Sequence, residues 1–119
     1  MNKIIPKPWG QETLLTEPEL PYTSKILTIK AGCQLSLQYH DQKTETLTLL
    51  SGQVMLTTGT NQDNLTTNPM VSETGYTIKP NTIHRLKAIT NSLVFEASTP
   101  EKGTTFRLAD DYHRPNETK

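Results

Sequence analysis

Four side chains in this sequence have the types and spacing to gather around one divalent metal ion: Gln38, His40, Glu45 and His84. Gln38 and His40 are two residues apart, so on a strand both leave one face, while Leu35, Leu37 and Tyr39 leave the other. Residues 41–44 are polar and turn-like, and Glu45 opens the next apolar run, from which it can re-enter the same face on a neighbouring strand. An amide oxygen, an imidazole and a carboxylate converging on one point supply three ligands, with His84 the candidate for a fourth. The donors are nitrogen and oxygen with no thiolate, a set that accepts Zn, Mn, Fe, Co or Ni without choosing among them.

Strands must hold those side chains, and the sequence supplies short runs of period two between turn signals. Residues 25–30 alternate, with Ile26, Thr28 and Lys30 on one side and Lys25, Leu27 and Ile29 on the other. Residues 35–40, 45–50 and 53–57 alternate likewise, and Ser51-Gly52 reads as a hairpin turn between the last two. Residues 59–70 are polar, Asn-rich and closed by Pro69, which predicts a surface loop. Further strands are expected at residues 76–78, 84–89 and 93–97, and a charged, mostly irregular tail after Pro100. No segment keeps a helical period over several turns, so the expectation is an antiparallel all-β sandwich or barrel.

Composition removes several functions. The chain has 119 residues, enough for one domain, with 12 basic and 12 acidic side chains. That balance leaves no basic field for nucleic acid, and no apolar run approaches membrane-spanning length. The start, MNKIIPKPWG, meets Pro6 and Pro8 before any apolar core of signal-peptide length, so the expected location is cytoplasmic. Cys33, the one cysteine, excludes an internal disulfide and reads as a small structural residue at a strand start.

The spacing Gly32-x5-Gln38-x-His40-x4-Glu45-x6-Gly52 resembles the first motif of the cupins, with Gln38 where His is usual. Residues 73–86, ETGYTIKPNTIHRL, resemble the second motif, and His84 falls on its final metal-binding histidine. Within the cupins the chain is similar to the isomerase half of the bifunctional (type II) mannose-1-phosphate guanylyltransferase/mannose-6-phosphate isomerases and their single-domain relatives. The matching features are Lys7-Pro8-Trp9-Gly10, Lys25 ahead of the first barrel strand, and the Leu-Ser-Leu-Gln-x-His run at residues 35–40. To these are added Lys43 two before the glutamate, and Asp110 to Arg114 against Asp-x-Tyr-Gly-Arg. Departures are Glu73-Thr74 for Gly-Asp, Thr46-Leu47 for His-Trp, Ala88 for Asn and His113 for Gly.

The resemblance implies a cupin-type double-stranded β-helix, or jelly-roll barrel, at residues 23–98, with an N-terminal arm (1–22) and a C-terminal tail (99–119). It implies one divalent ion, zinc in the first place, held by Gln38, His40, Glu45 and His84. It also implies interconversion of mannose 6-phosphate and fructose 6-phosphate through an enediol. The candidate bases are Glu96, a carboxylate flanked by apolar residues, and Lys43, with a metal-bound water as a third. Lys25, Lys43 and Arg85 are the candidates for holding phosphate; Arg107 and Arg114, like them, default to solvated charges. Trp9 reads equally as an anchor for the arm or as part of the barrel mouth. The alternatives are a cupin that binds a sugar or sugar nucleotide without turnover, and another metal-cupin reaction such as an oxygenase. A homodimer, formed through residues 3–12, is the expected assembly.

Overall fold

The computed structural model describes residues 2–119, and none of them is helical. The first sheet contains β1 (Lys3–Lys7), β2 (Gly10–Leu14), β3 (Thr23–Ile29), β5 (Glu45–Ser51), β8 (Tyr76–Ile78) and β10 (Ser92–Ser98), in the order β1-β2-β3-β10-β5-β8. The second contains β4 (Leu37–His40), β6 (Val54–Gly59), β7 (Thr66–Pro69), β9 (Ile83–Ala88), β11 (Thr104–Ala109) and β12 (Glu117–Thr118), in the order β12-β11-β4-β9-β6-β7. The strand pairs are antiparallel, and the two sheets face each other as a jelly roll.

Period two decides what lies between the sheets. In β3 the inward row is Lys25, Leu27 and Ile29; in β5 it is Glu45, Leu47 and Leu49. The inward row of β10 is Ser92, Val94, Glu96 and Ser98, and that of β9 includes His84, Leu86 and Ala88. The rows of β3, β5 and β9 are apolar at one end and carry charge or imidazole at the other, and the β10 row carries Val94 and Glu96 between two serines. The barrel interior is thereby divided into a dry half, packed by Leu27, Ile29, Leu49, Val54, Leu86 and Val94, and a polar half. Burial of the dry half stabilises the fold at roughly 25 cal/mol per Å² of apolar surface, and it sets a rigid floor under the polar half.

Four sequence expectations change. Ser51-Gly52 is not a hairpin turn, because β5 and β6 belong to different sheets. The chain crosses between sheets there, with Gly52 at φ +92°, where a Cβ would meet Ser92 and the Asn91 carbonyl. Residues 59–70 are not wholly loop: β7 pairs with β6 through two β-branched threonines, and Pro69 is tolerated because β7 is an edge strand. The arm is strand too, β1 and β2 forming a hairpin that extends the first sheet onto β3. Gly10 is required where that hairpin approaches β3, since a Cβ would lie 1.9 Å from the Thr28 carbonyl oxygen.

The fourth change matters most for function. The segment expected to be an irregular tail supplies β11, which pairs with β4 in the middle of the second sheet. It alternates, with Thr105 and Arg107 aligned on His40 and Gln38, and with Phe106 stacked on Tyr39 at 4.8 Å on the opposite face. The polar row faces the cavity and the aromatic row faces away, the reverse of the usual arrangement of a sheet over a core.

Candidate metal centre

Three strands from both sheets bring the metal-ligand candidates together. On the second sheet Gln38 pairs directly with His84, and His40 follows Gln38 on the same face. Glu45 enters from the first sheet. The donor atoms of His40, Glu45 and His84 all lie within 4.8 Å of one another, and all three residues are buried. Glu45 Oε1 is 2.9 Å from His84 Nε2 and 3.8 Å from His40 Nε2.

Each imidazole is oriented by its other nitrogen. His84 Nδ1–H donates to the Thr82 carbonyl oxygen at 3.0 Å, and His40 Nδ1 is 2.8 Å from Thr105 Oγ1. The carbonyl can only accept, so the neutral His84 ring turns its Nε2 lone pair inward, and His40 does the same when its Nδ1–H donates to Thr105. His84 Nε2 is buried and, despite its 2.9 Å approach to Glu45, makes no hydrogen bond of proper geometry. A lone pair and a carboxylate oxygen at that distance, with no proton aligned between them, suit a shared cation. The two imidazoles and the carboxylate therefore fit a divalent ion. Gln38 is adjacent, but its Oε1 accepts from Ser36 Oγ–H, and its Nε2 is 3.4 Å from His40 Nε2. Rotating the amide by half a turn exchanges the two atoms, giving Ser36 an acceptor role and turning the oxygen towards the imidazoles.

Behind the three ligands lies a layer of charge. Lys43 Nζ is 2.9 Å from Glu96 Oε2, 3.0 Å from Glu101 Oε1 and 3.4 Å from Glu45 Oε2. Lys25 Nζ is 2.8 Å from Glu101 Oε1, 3.5 Å from Glu12 and 3.7 Å from Glu96. Burial alone would raise the Glu45 carboxyl, but Lys43 and then His84 hold it well below the usual range. Burial would lower Lys43, yet Glu96, Glu45 and Glu101 keep it well above. The same contacts do not lower Glu96: its burial and the neighbouring Glu45 charge outweigh Lys43 and Lys25 and push it up to about 7. The Lys43 ammonium lies close to Glu96 Oε2 without a hydrogen bond aligned on that oxygen. Burial holds the His40 ring down at about 4, with Glu45 opposing and Lys43 reinforcing.

The sequence candidates thus divide. His40, Glu45, His84, Gln38, Lys43 and Glu96 converge on one cleft, with Lys25 beside them. Arg85 reaches the rim but is committed to backbone, Nε donating to the Leu35 carbonyl and Nη2 to that of Ala109. Trp9 is both anchor and wall, 2 % exposed in the core and lining the cleft. Sequence reasoning did not find Glu101, Thr105 or Ser36. Thr105 and Arg107 had a signal, the alternation of residues 104–108; Glu101, in the loop between β10 and β11, had none.

The cleft measures about 870 Å³ counting its open mouth. Eight Lys or Arg side chains and five glutamates line it, although the chain as a whole has zero formal charge. The lining therefore favours an anion.

A family model described as the C-terminal region of mannose-6-phosphate isomerase matches residues 1–95. The chain belongs to that family. The four ligand candidates lie within the matched residues, while Glu96, Glu101 and Arg107 follow them. Similar solved structures include the capsular polysaccharide assembling protein CapF from Staphylococcus aureus, 14 % identical with a TM-score of 0.74 over 99 % of this chain and 34 % of CapF. KdgF from Halomonas sp. is 13 % identical with a TM-score of 0.68, covering 81 % of this chain and 84 % of KdgF. The Cnp3 cupin domain of Schizosaccharomyces pombe is 13 % identical with a TM-score of 0.64, covering 76 % of this chain and 64 % of that one. At these identities the likeness establishes the cupin fold of this family member. The chain spans about a third of the length of CapF. Among curated proteins, none matches it in sequence.

Proposed function

We propose that this member of the mannose-6-phosphate isomerase C-terminal family is a metal-dependent aldose–ketose isomerase, acting on mannose 6-phosphate and fructose 6-phosphate. The observation that carries the reading is the His40–Glu45–His84 group facing a cation-rich cleft, with Glu96 tuned to about 7 directly behind it. His40, Glu45 and His84, with Gln38 as a fourth ligand, would hold a divalent ion, which would supply Lewis acidity to the sugar oxygens. Glu96 is suited to take the proton from C2 and return it to C1, because a group titrating near neutrality can do both. Lys43 stays an ammonium ion and opposes the negative charge that develops on the sugar oxygens of the enediol. The walls built by Trp9 and Leu35 limit water beside that charge.

A coupled assay on protein stripped of metal and then reloaded with Zn, Mn, Co or Ni tests this. Turnover should vanish on stripping and return with at least one ion. A folded, metal-loaded protein that binds mannose 6-phosphate without converting it would support the second reading, a sugar-phosphate binder. Glu101 favours that second reading, since its carboxylate already occupies both Lys25 and Lys43. The proposed assembly is a pair of identical chains joined along β1, which ends the first sheet and leaves Ile4 60 % exposed.

A further inference from the structure

Several of the eight cations lining the cleft already have partners. Lys25 and Lys43 are held by glutamates, Arg114 is bidentate to Asp110, and Arg85 is committed to two carbonyls. Arg107 differs. It lies on β11 across from Gln38, on the face that carries the ligand candidates. Among the described residues no carboxylate lies within 4.0 Å of it. Its backbone N–H donates to Asn116 Oδ1 at 2.8 Å and its Nη1 donates to the Pro115 carbonyl, which fixes the plane of the guanidinium. Its Nε is buried without any partner.

Nη1 anchors one side of the group, so the free edge is the one formed by Nε–H and Nη2–H. That edge is a planar fork matched to two oxygens of a phosphate. Facing residues of an antiparallel pair have Cα atoms about 5 Å apart, so the Arg107 side chain starts beside Gln38 and lines the same cleft as the metal-ligand candidates. We infer that Arg107 is the residue that receives the phosphate of the ligand, through its Nε–Nη2 edge. The inference deepens the sugar-phosphate reading and rests on it for the identity of the ligand. It moves phosphate recognition from Lys25, Lys43 and Arg85 to a strand that follows the family-matched residues.

The test is calorimetric titration of inorganic phosphate, mannose 6-phosphate and mannose into the metal-loaded protein, with ¹⁵N spectra following the Arg107 Nε–H signal. In the wild type both phosphate probes should bind and the Nε–H signal should move. Arg107→Lys keeps the charge and loses the fork, and should weaken both phosphate probes by about tenfold while leaving mannose unaffected. Lys87→Gln, on the outer side of β9, should leave all three within about twofold. An Nε–H signal that stays fixed at saturating phosphate overturns the inference, as does an Arg107→Lys protein that binds phosphate like the wild type. The two readings fail separately. Phosphate held by Arg107 without any turnover sinks the isomerase and keeps this inference; turnover in Arg107→Lys with an unchanged KM does the opposite.

Discussion

His40 and Glu96 face the same cleft and respond to pH with opposite signs. Burial lowers His40 from 6.5 to about 4. Between those values the unfolded chain binds a proton that the folded one refuses, so the stability from this group is complete above pH 6.5 and lost as pH falls towards 4. Glu96 is raised from 4.5 to about 7. There the folded chain keeps a proton that the unfolded one has released, so its contribution is complete below pH 4.5 and lost as pH rises to 7. Each interval corresponds to about 3 kcal/mol, at ~1.4 kcal/mol per pH unit, and the two slopes nearly cancel. Metal-free protein should therefore be almost flat in urea stability from pH 4.5 to 6.5. Glu96→Gln removes one slope and should gain about 2–3 kcal/mol over that range; a flat profile in the variant contradicts the account. Below pH 4.5 both proteins should weaken, because Lys43 and Lys25, acting against burial, hold the Glu101 carboxyl at about 2.

At the scale of the element, β11 orients the centre that β4, β5 and β9 build. Thr105 is cross-strand from His40 and holds its Nδ1 at 2.8 Å. Thr105→Val keeps the shape and the β-branched backbone preference but leaves the ring without that partner. Metal affinity, measured by competition with a chelator, should fall by about 10–100-fold, with the thermal midpoint of the metal-free protein little changed. Unaltered affinity would mean that β11 does not orient the ring. The strands that alternate apolar and buried, β3, β5, β9 and β10, were legible in the sequence, as was the convergence of His40, Glu45 and His84. β11 was not, because the pattern used to find strands assumes an apolar inner row, whereas Thr105 and Arg107 form a polar one. The Ser51-Gly52 crossing looked like a hairpin turn because local turn chemistry does not say which sheet the next strand joins. Glu101 was invisible because its partners Lys25 and Lys43 are 76 and 58 residues away in the chain.

Across the whole molecule the candidate metal centre would form a clasp between two sheets. Glu45 belongs to one sheet, and His40 and His84 to the other. An ion bound there ties the open end of the barrel, while Leu27, Leu49, Val54 and Leu86 close the other end without it. The proposed pairing along β1 is a separate matter at this scale: light scattering should give twice the 13.4 kDa of one chain, and a single-chain mass contradicts it. Such a clasp would make stability depend on ion concentration, by about 4 kcal/mol at a thousandfold excess over Kd. The most direct test is therefore to titrate zinc into stripped wild-type and His84→Ala protein, following stoichiometry by calorimetry and the thermal midpoint together. The account predicts one ion per chain and a midpoint that climbs with zinc in the wild type, with both responses lost in His84→Ala. A His84→Ala protein that binds zinc as tightly as the wild type, with the same rise in midpoint, would contradict it.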